Sequence, residues 1–246
     1  MASINLEQFC DRFNALVGEK PAISRLIEAG RSLMTELISE REWFGDILRK
    51  ILLEPDFNKN QKTGIWPNEI TLYRCPDRSF QVVCYIWEPY MIDTVHDHGS
   101  WGIIGSFVKP FRERKYRRLD DGKTEGYALL EEVSSAIFQP GEVTYVLPLN
   151  KGIHSMENVS GDVSITVNVY GRNMREGYIQ FYYPEKNSVT RAYPPKSLRE
   201  TLAIRAAAAL RGPWSEEILK SVLVSDLPDH IKKVGEQSLK KLKSFP

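Results

Sequence analysis

His96 and His98, which flank Asp97, and His154 in the segment Gly152-Ile153-His154 make up three of the four histidines in the chain. Neutral imidazole is a common metal ligand. In an extended strand alternate side chains share a face, so His96 and His98 project together while Asp97 points to the other side. Two imidazoles on one strand face, joined by a third from elsewhere, form a donor set for a single iron, copper, nickel or zinc ion. Asp97 is expected to face solvent or a turn, or to accept a hydrogen bond that fixes an imidazole tautomer. His230 has no histidine neighbour and is expected at the surface or in a helix cap.

The elements that must position these residues follow from periodicity. Leu6, Phe9, Phe13 and Leu16, then Ile23, Leu26, Ile27, Leu33 and Leu37, then Phe44, Ile47, Leu48, Ile51 and Leu52 recur at helical spacing. Asn5 with Gln8 reads as a capping box, and Pro55 as a stop signal. From about residue 70 to 189 the pattern changes to short β-branched and aromatic runs, such as 80–87 and 163–170, separated by turn residues. That pattern signals an all-β sandwich or barrel, and both histidine segments fall inside it. Trp101 is expected in the barrel wall. The glycine-rich words Trp101-Gly102-Ile103-Ile104-Gly105 and Pro140-Gly141-Glu142 read as turns and bulges, because no helix start follows them as a phosphate loop requires.

Beyond Pro194-Pro195 the pattern is helical again. Ser197 with Glu200 reads as a second capping box and Gly212-Pro213 as a helix end, with further runs around 218–222 and 231–242. Lys232, Lys233, Lys240, Lys241 and Lys243 read as a solvated helix face. The resulting division is an N-terminal helical segment packed on the barrel (1–66), a β-barrel carrying the metal site (67–192) and a C-terminal helical extension (193–246).

Composition narrows the function classes. The chain has 246 residues, 42% of them hydrophobic and 26% charged, with a formal net charge of +1. These values argue against disorder and against broad attraction to nucleic acid, so a small-molecule partner is expected. Residues 1–7 lack a basic region followed by an apolar run, and no stretch approaches the length of a bilayer span. A cytoplasmic protein with no membrane partner is expected. Cys10, Cys75 and Cys84 have no CxxC spacing and read as small, buried, reduced residues. The sequence leaves the oligomeric state open.

Four words in the β region carry a family resemblance: Val95-His96-Asp97-His98-Gly99-Ser100-Trp101-Gly102-Ile103-Ile104-Gly105, Pro140-Gly141-Glu142-Val143, Gly152-Ile153-His154-Ser155-Met156-Glu157-Asn158-Val159, and Ser164-Ile165-Thr166-Val167-Asn168-Val169-Tyr170-Gly171. Across roughly residues 70–185 they resemble the two cupin motifs of a jelly-roll barrel. More narrowly they resemble the cysteine dioxygenase family, above all its bacterial 3-mercaptopropionate dioxygenase branch. The resemblance implies a cupin double-stranded β-helix with flanking helices. It also implies one Fe(II) on His96, His98 and His154, with O2 as co-substrate and a small carboxylated thiol oxidised to a sulfinate. A general cupin supplies a Glu shortly after the His-x-His, whereas this chain has Gly102 and Ile103 there, as thiol dioxygenases lack that carboxylate.

The family places a Ser, His and Tyr alternately on a late strand beside the metal, and the matching positions are Thr166, Asn168 and Tyr170. An amide cannot titrate, so a proton relay through position 168 is lost. Arg74 is the match to the arginine that holds the substrate carboxylate; Arg172 and Arg175 lie near the alternative location. The cysteine that some relatives cross-link to the tyrosine corresponds to about Gly102, so no such cross-link is expected. Two rival readings keep the fold: an iron oxygenase acting on a non-thiol, motivated by Asn168, and a cupin that binds metal or ligand without turnover.

Overall fold

The computed structural model describes residues 4–61 and 64–244; residues 1–3, 62–63 and 245–246 of the expected flanking segments lie outside the described residues. The β-branched runs form strands β1 (Glu69–Arg74), β2 (Phe80–Trp87), β3 (Gly102–Val108), β4 (Phe111–Arg118), β5 (Leu130–Phe138), β6 (Val143–Val146), β7 (Ile153–Asn158), β8 (Ser164–Gly171), β9 (Ile179–Tyr183) and β10 (Ser188–Ala192). One antiparallel sheet has the order β1-β2-β8-β3-β6, a second the order β5-β4-β7, and β9 with β10 forms a hairpin. From β3 to β4, β5 to β6, β6 to β7 and β7 to β8 the chain changes sheet. Repeated crossing between two antiparallel sheets is the jelly-roll arrangement of cupins, the fold class expected from the sequence.

Strand β8 is central in its sheet and buried on both faces, one against the N-terminal helices and one in the barrel lumen. Val167 and Val169 join Val82 and Cys84 of β2 against the N-terminal helices, while Tyr170 joins Val83, Tyr85 and Trp87 in the barrel lumen. The N-terminal layer comprises α1 (Leu6–Gly18), α2 (Ile23–Ile38), α3 (Glu42–Leu53) and α4 (Pro55–Lys59). The expected capping box is present, with Gln8 N donating to Asn5 Oδ1 at 2.9 Å and Asn5 N to Gln8 Oε1 at 3.0 Å. Pro55 follows the end of α3 and opens α4 at a first-turn position that needs no N–H. Phe13 anchors the layer, its ring 5.4 Å from Phe9, 4.9 Å from Phe80 and 6.1 Å from Trp101, which packs in the barrel wall as expected.

The Gly102–Gly105 word is the start of strand β3, contrary to the expected turn. Gly105 is there for close approach: a Cβ would stand 3.0 Å from both Ile38 Cδ1 and Met34 Cγ of α2. The other word does turn, with Gly141 at φ +95°.

At the C-terminus α5 (Pro195–Leu210), α6 (Ser215–Val224) and α7 (Asp229–Lys243) pack around Ile204, Leu219, Ile231 and Val234, a cluster separate from the barrel. No Ser197–Glu200 capping box forms, because α5 begins two residues earlier at Pro195, whose fixed φ and missing N–H suit a first turn. Arg211, at φ 50°, takes the left-handed position that Gly212 was expected to supply. Lys233, Lys240, Lys241 and Lys243 are exposed, while Lys232 is half-buried. His230 is also half-buried, its ring packed on Gly177, where a Cβ would meet Cδ2 at 2.2 Å; it is neither a surface residue nor a cap. No helix of the described residues is long and apolar enough to cross a membrane.

Phe13→Ala should cost about 3–5 kcal/mol, as for large buried aromatic residues in general. Urea denaturation measures it, and a loss below about 1 kcal/mol would deny that this ring ties the helices to the barrel.

Candidate metal centre

The segment carrying His96 runs antiparallel to β7, bridged at Ile92–Glu157 and at His96–His154. His96 N donates to His154 O at 2.8 Å and His154 N to His96 O at 2.9 Å, so the two residues form a reciprocal antiparallel pair with side chains on one side. His98, two residues on, shares that side. The ring centroids are 4.8 Å apart for His96 and His98, 4.8 Å for His96 and His154, and 4.9 Å for His98 and His154. One nitrogen from each ring lies within 4.8 Å of the other two.

The outer nitrogens of two rings are already engaged. His96 Nδ1 donates to Thr94 O at 2.8 Å and His154 Nδ1 to Glu113 Oε1 at 2.8 Å, which leaves each Nε2 as a lone-pair donor. His154 Nε2 and His98 Nε2 stand 2.8 Å apart. Metal–imidazole bonds of about 2.1 Å at right angles would place donors ~3 Å apart, so this donor set fits a single ion. His96 and His154 are buried and His98 keeps partial access at the mouth of a cleft. Burial, with His154 adding, pushes His96 down to about 3. His98 is held well below the usual imidazole range by burial, then by His96, His154 and Arg175. These rings are therefore neutral and ready to ligate.

Glu113, absent from the sequence reading, is the carboxylate that orients a ligand. Burial would raise its carboxyl, but the His154 hydrogen bond, Lys115 at 3.4 Å and the Thr144 hydroxyl at 2.7 Å hold it below the ordinary range. The signal was its inward parity on β4, two residues after buried Phe111. Asp97 takes neither expected role. It is fully buried and gripped by Arg175, Nη1 to Oδ2 at 2.8 Å and Nη2 to Oδ1, with Gln180 N donating at 2.8 Å. That grip occupies Arg175, and Arg172 donates to Asp77 O at 2.8 Å.

Thr166, Asn168 and Tyr170 all point into the lumen and are buried. Asn168 Nδ2 donates to the Tyr170 hydroxyl at 3.0 Å, and the Tyr170 ring stacks on His98 with centroids 5.0 Å apart. Thr166 is held apart from this pair, accepting from Trp87 Nε1 at 3.2 Å. Asn168 Oδ1 is buried with no partner. Gly102 lies opposite Tyr170, where a Cβ would come within 2.6 Å of the ring, so glycine makes room for the phenol. On the far side of Tyr170 the same cross-strand row continues through Gln81 to Arg74, whose Nη2 donates to Gln81 Oε1 at 3.2 Å. Arg74 is exposed and lines the cleft with Trp66, Tyr85, His98 and Tyr170.

No family model matches the chain. Similar solved structures include a cupin superfamily protein from Desulfitobacterium hafniense, at 8% identity over 43% of this chain and 76% of that chain, with a TM-score of 0.31. A cupin 2 conserved barrel domain protein from Salinispora arenicola is 16% identical over 46% of this chain and 82% of that chain, with a TM-score of 0.32. The capsular polysaccharide assembling protein CapF from Staphylococcus aureus is 15% identical over 50% of this chain and 30% of that chain, with a TM-score of 0.33.

Two outcomes follow from this geometry. Elemental analysis should find about one first-row metal per chain, lost in His154→Ala, while Glu113→Gln weakens affinity about 10- to 100-fold in a competition titration. In metal-free protein His96 titrates near 3 when folded but near 6.5 when unfolded, so the unfolded chain binds more protons and stability drops as pH falls below about 6.5. His96→Gln should flatten that slope by about 1 kcal/mol per pH unit between pH ~6 and ~4 in denaturant titrations.

Proposed function

We propose that this protein is a mononuclear non-haem Fe(II) dioxygenase that oxidises a small carboxylated thiol to its sulfinate, RSH + O2 → RSO2H. The observation that carries the reading is an all-imidazole donor set facing a cleft in which Tyr170 stacks on His98 and Arg74 lines the wall. Three neutral ligands leave the metal charge uncompensated, which favours an anionic thiolate. When bound, iron supplies the position at which thiolate and O2 meet and both oxygen atoms pass to sulfur.

The chain's own groups do the rest. Arg74 offers a planar fork to a carboxylate at the open end of the cleft. Burial raises the Tyr170 phenol above its ordinary range, so it stays protonated, and with its oxygen accepting from Asn168 it can offer its O–H to a substrate beside His98. Asp97 and Arg175 are locked together and take no part in binding. The same reading makes a free small-molecule thiol the partner and the cytoplasm the setting, where buried Cys10, Cys75 and Cys84 remain free thiols.

A second reading, in which the same site oxidises a non-thiol, draws support from the unpartnered Asn168 Oδ1, a buried acceptor suited to a substrate N–H or O–H.

Anaerobic Fe(II) loading followed by oxygen-uptake assays with mercapto acids and cysteine derivatives tests the proposal; stoichiometric sulfinate is expected. Arg74→Ala should lower kcat/KM about 10- to 150-fold, mostly through KM, for loss of one charge-assisted contact of about 1.5–3 kcal/mol. Absence of O2 uptake with every thiol would defeat the reading. Asn168→His separates the two substrates: it should preserve thiol turnover but abolish a reaction that the amide reads by hydrogen bonds.

A further inference from the structure

The opening of β1 places a half-buried carboxylate in the cleft that the proposed chemistry leaves unused. Glu69 pairs with Tyr85 across β1 and β2, and the Tyr85 hydroxyl donates to Glu69 Oε2 at 2.8 Å. Tyr85 packs in the same lumen cluster as Tyr170, whose hydroxyl accepts from Asn168 Nδ2 at 3.0 Å and whose ring stacks on His98. Glu69, Tyr85, Tyr170 and His98 all line one cleft. A line of polar groups therefore runs from beside the metal ligands to a carboxylate, and both intermediate members are phenols that can donate and accept at once.

We propose that Glu69 is the terminal proton acceptor of this cleft, reached from Tyr170 through Tyr85, in place of a titrating side chain at position 168. The proposal rests on the thiol-oxidising reading. A thiol that binds as thiolate must release its proton. The S–H proton passes to the Tyr170 oxygen as the Tyr170 proton passes to the Tyr85 oxygen and the Tyr85 proton passes to Oε2 of Glu69. Each phenol ends neutral as it began, and the carboxylate ends as the acid. Asn168 cannot perform this step, because its amide neither gains nor loses a proton near neutrality, but its N–H fixes the Tyr170 oxygen in line. Glu69 is only partly buried by side-chain exposure, so the proton can return to solvent through the cleft.

The groups facing Glu69 are Arg74 on its own strand, Cys84 and Tyr85 on β2, and Tyr170 on β8. Burial raises its carboxyl above the ordinary glutamate range against the lowering effects of the Tyr85 hydrogen bond and Arg74. The acceptor must be ionised to act, so turnover should rise with pH through that raised value.

The test compares iron-loaded wild type, Glu69→Gln, Tyr85→Phe and the double variant. Glutamine keeps an acceptor for Tyr85 but cannot take a proton. Glu69→Gln should lower kcat/KM about 10- to 100-fold and remove the acidic limb of the pH profile. Tyr85→Phe should do the same, and the double variant should be no worse than either single one. A second readout needs neither iron nor turnover: infrared titration of the metal-free protein, wild type minus Glu69→Gln, should show one carboxyl titrating above the usual range and moving higher in Tyr85→Phe. An active Glu69→Gln enzyme with an intact acidic limb would overturn the relay while leaving the thiol reading standing. If the wild type oxidises no thiol, that reading fails by itself, and a Glu69 carboxyl indifferent to both Tyr85→Phe and Tyr170→Phe overturns the relay as well.

Discussion

The reciprocal pair of backbone hydrogen bonds between His96 and His154 fixes the register on which the whole site depends. Side chains alternate with a period of two, so a slip of one residue would turn His96 and His98 outward and bring Asp97 into the lumen. The segment before β3 is held on one side by β7, through bridges at Ile92–Glu157 and His96–His154, and on the other by β9, through His96–Phe181. Asp97 adds to this from the opposite face: bound to Arg175, in the loop before β9, and to Gln180 N of β9, it ties the segment to that part of the chain. His96 and His98 are thus presented to the lumen in part because the residue between them is clamped on the other side.

Electrostatics divide the barrel in a way that suits metal binding. Buried carboxylates sit against a cation or behind an imidazole, as Asp97 does with Arg175 and Glu113 with His154 and Lys115. Asp93, 3.7 Å from His96 Nδ1, is pushed well above the usual carboxylate range by burial. Both Asp93 and Glu113 lie on the Nδ1 side of their imidazoles, away from the Nε2 atoms. An uncharged donor set leaves more of the ion's charge for an exogenous anion than a carboxylate-containing set would.

What the sequence reveals depends on whether the cause is local. Helices α1 to α3 and the strands carrying His154 and Tyr170 were legible because burial repeats with the period of each element, as Phe9 and Phe13 or Val167 and Val169 illustrate, whereas His96 lies in a bridged segment and not in the expected strand. The convergence of His96, His98 and His154 could be expected from spacing and resemblance. Glu113 escaped notice because its partner is 41 residues away and its own strand, Phe111–Arg118, is so charged that one inward carboxylate does not stand out. Asp97 misled for the same reason, since its partner Arg175 lies 78 residues on. Gly102 reads as a turn until the facing Tyr170 ring is known, and Ser197 reads as a cap until Pro195 has opened the helix ahead of it.

Strand β8 links these long-range choices. Its outer residues Val167 and Val169 are fixed by the N-terminal helices, and its lumen residues Asn168 and Tyr170 can move only if that packing moves. Tyr170 is further confined by Gly102 on one side, Gln81 on the other and the His98 ring above it. Such confinement gives the phenol a single position, so its hydroxyl can be addressed only by groups already built around it: Asn168 and Tyr85. Asparagine at position 168 therefore fixes the tyrosine hydroxyl without offering it a group that titrates near neutrality. The neighbouring Tyr85 is backed by a carboxylate, because the register of β1 against β2 sets Glu69 opposite it.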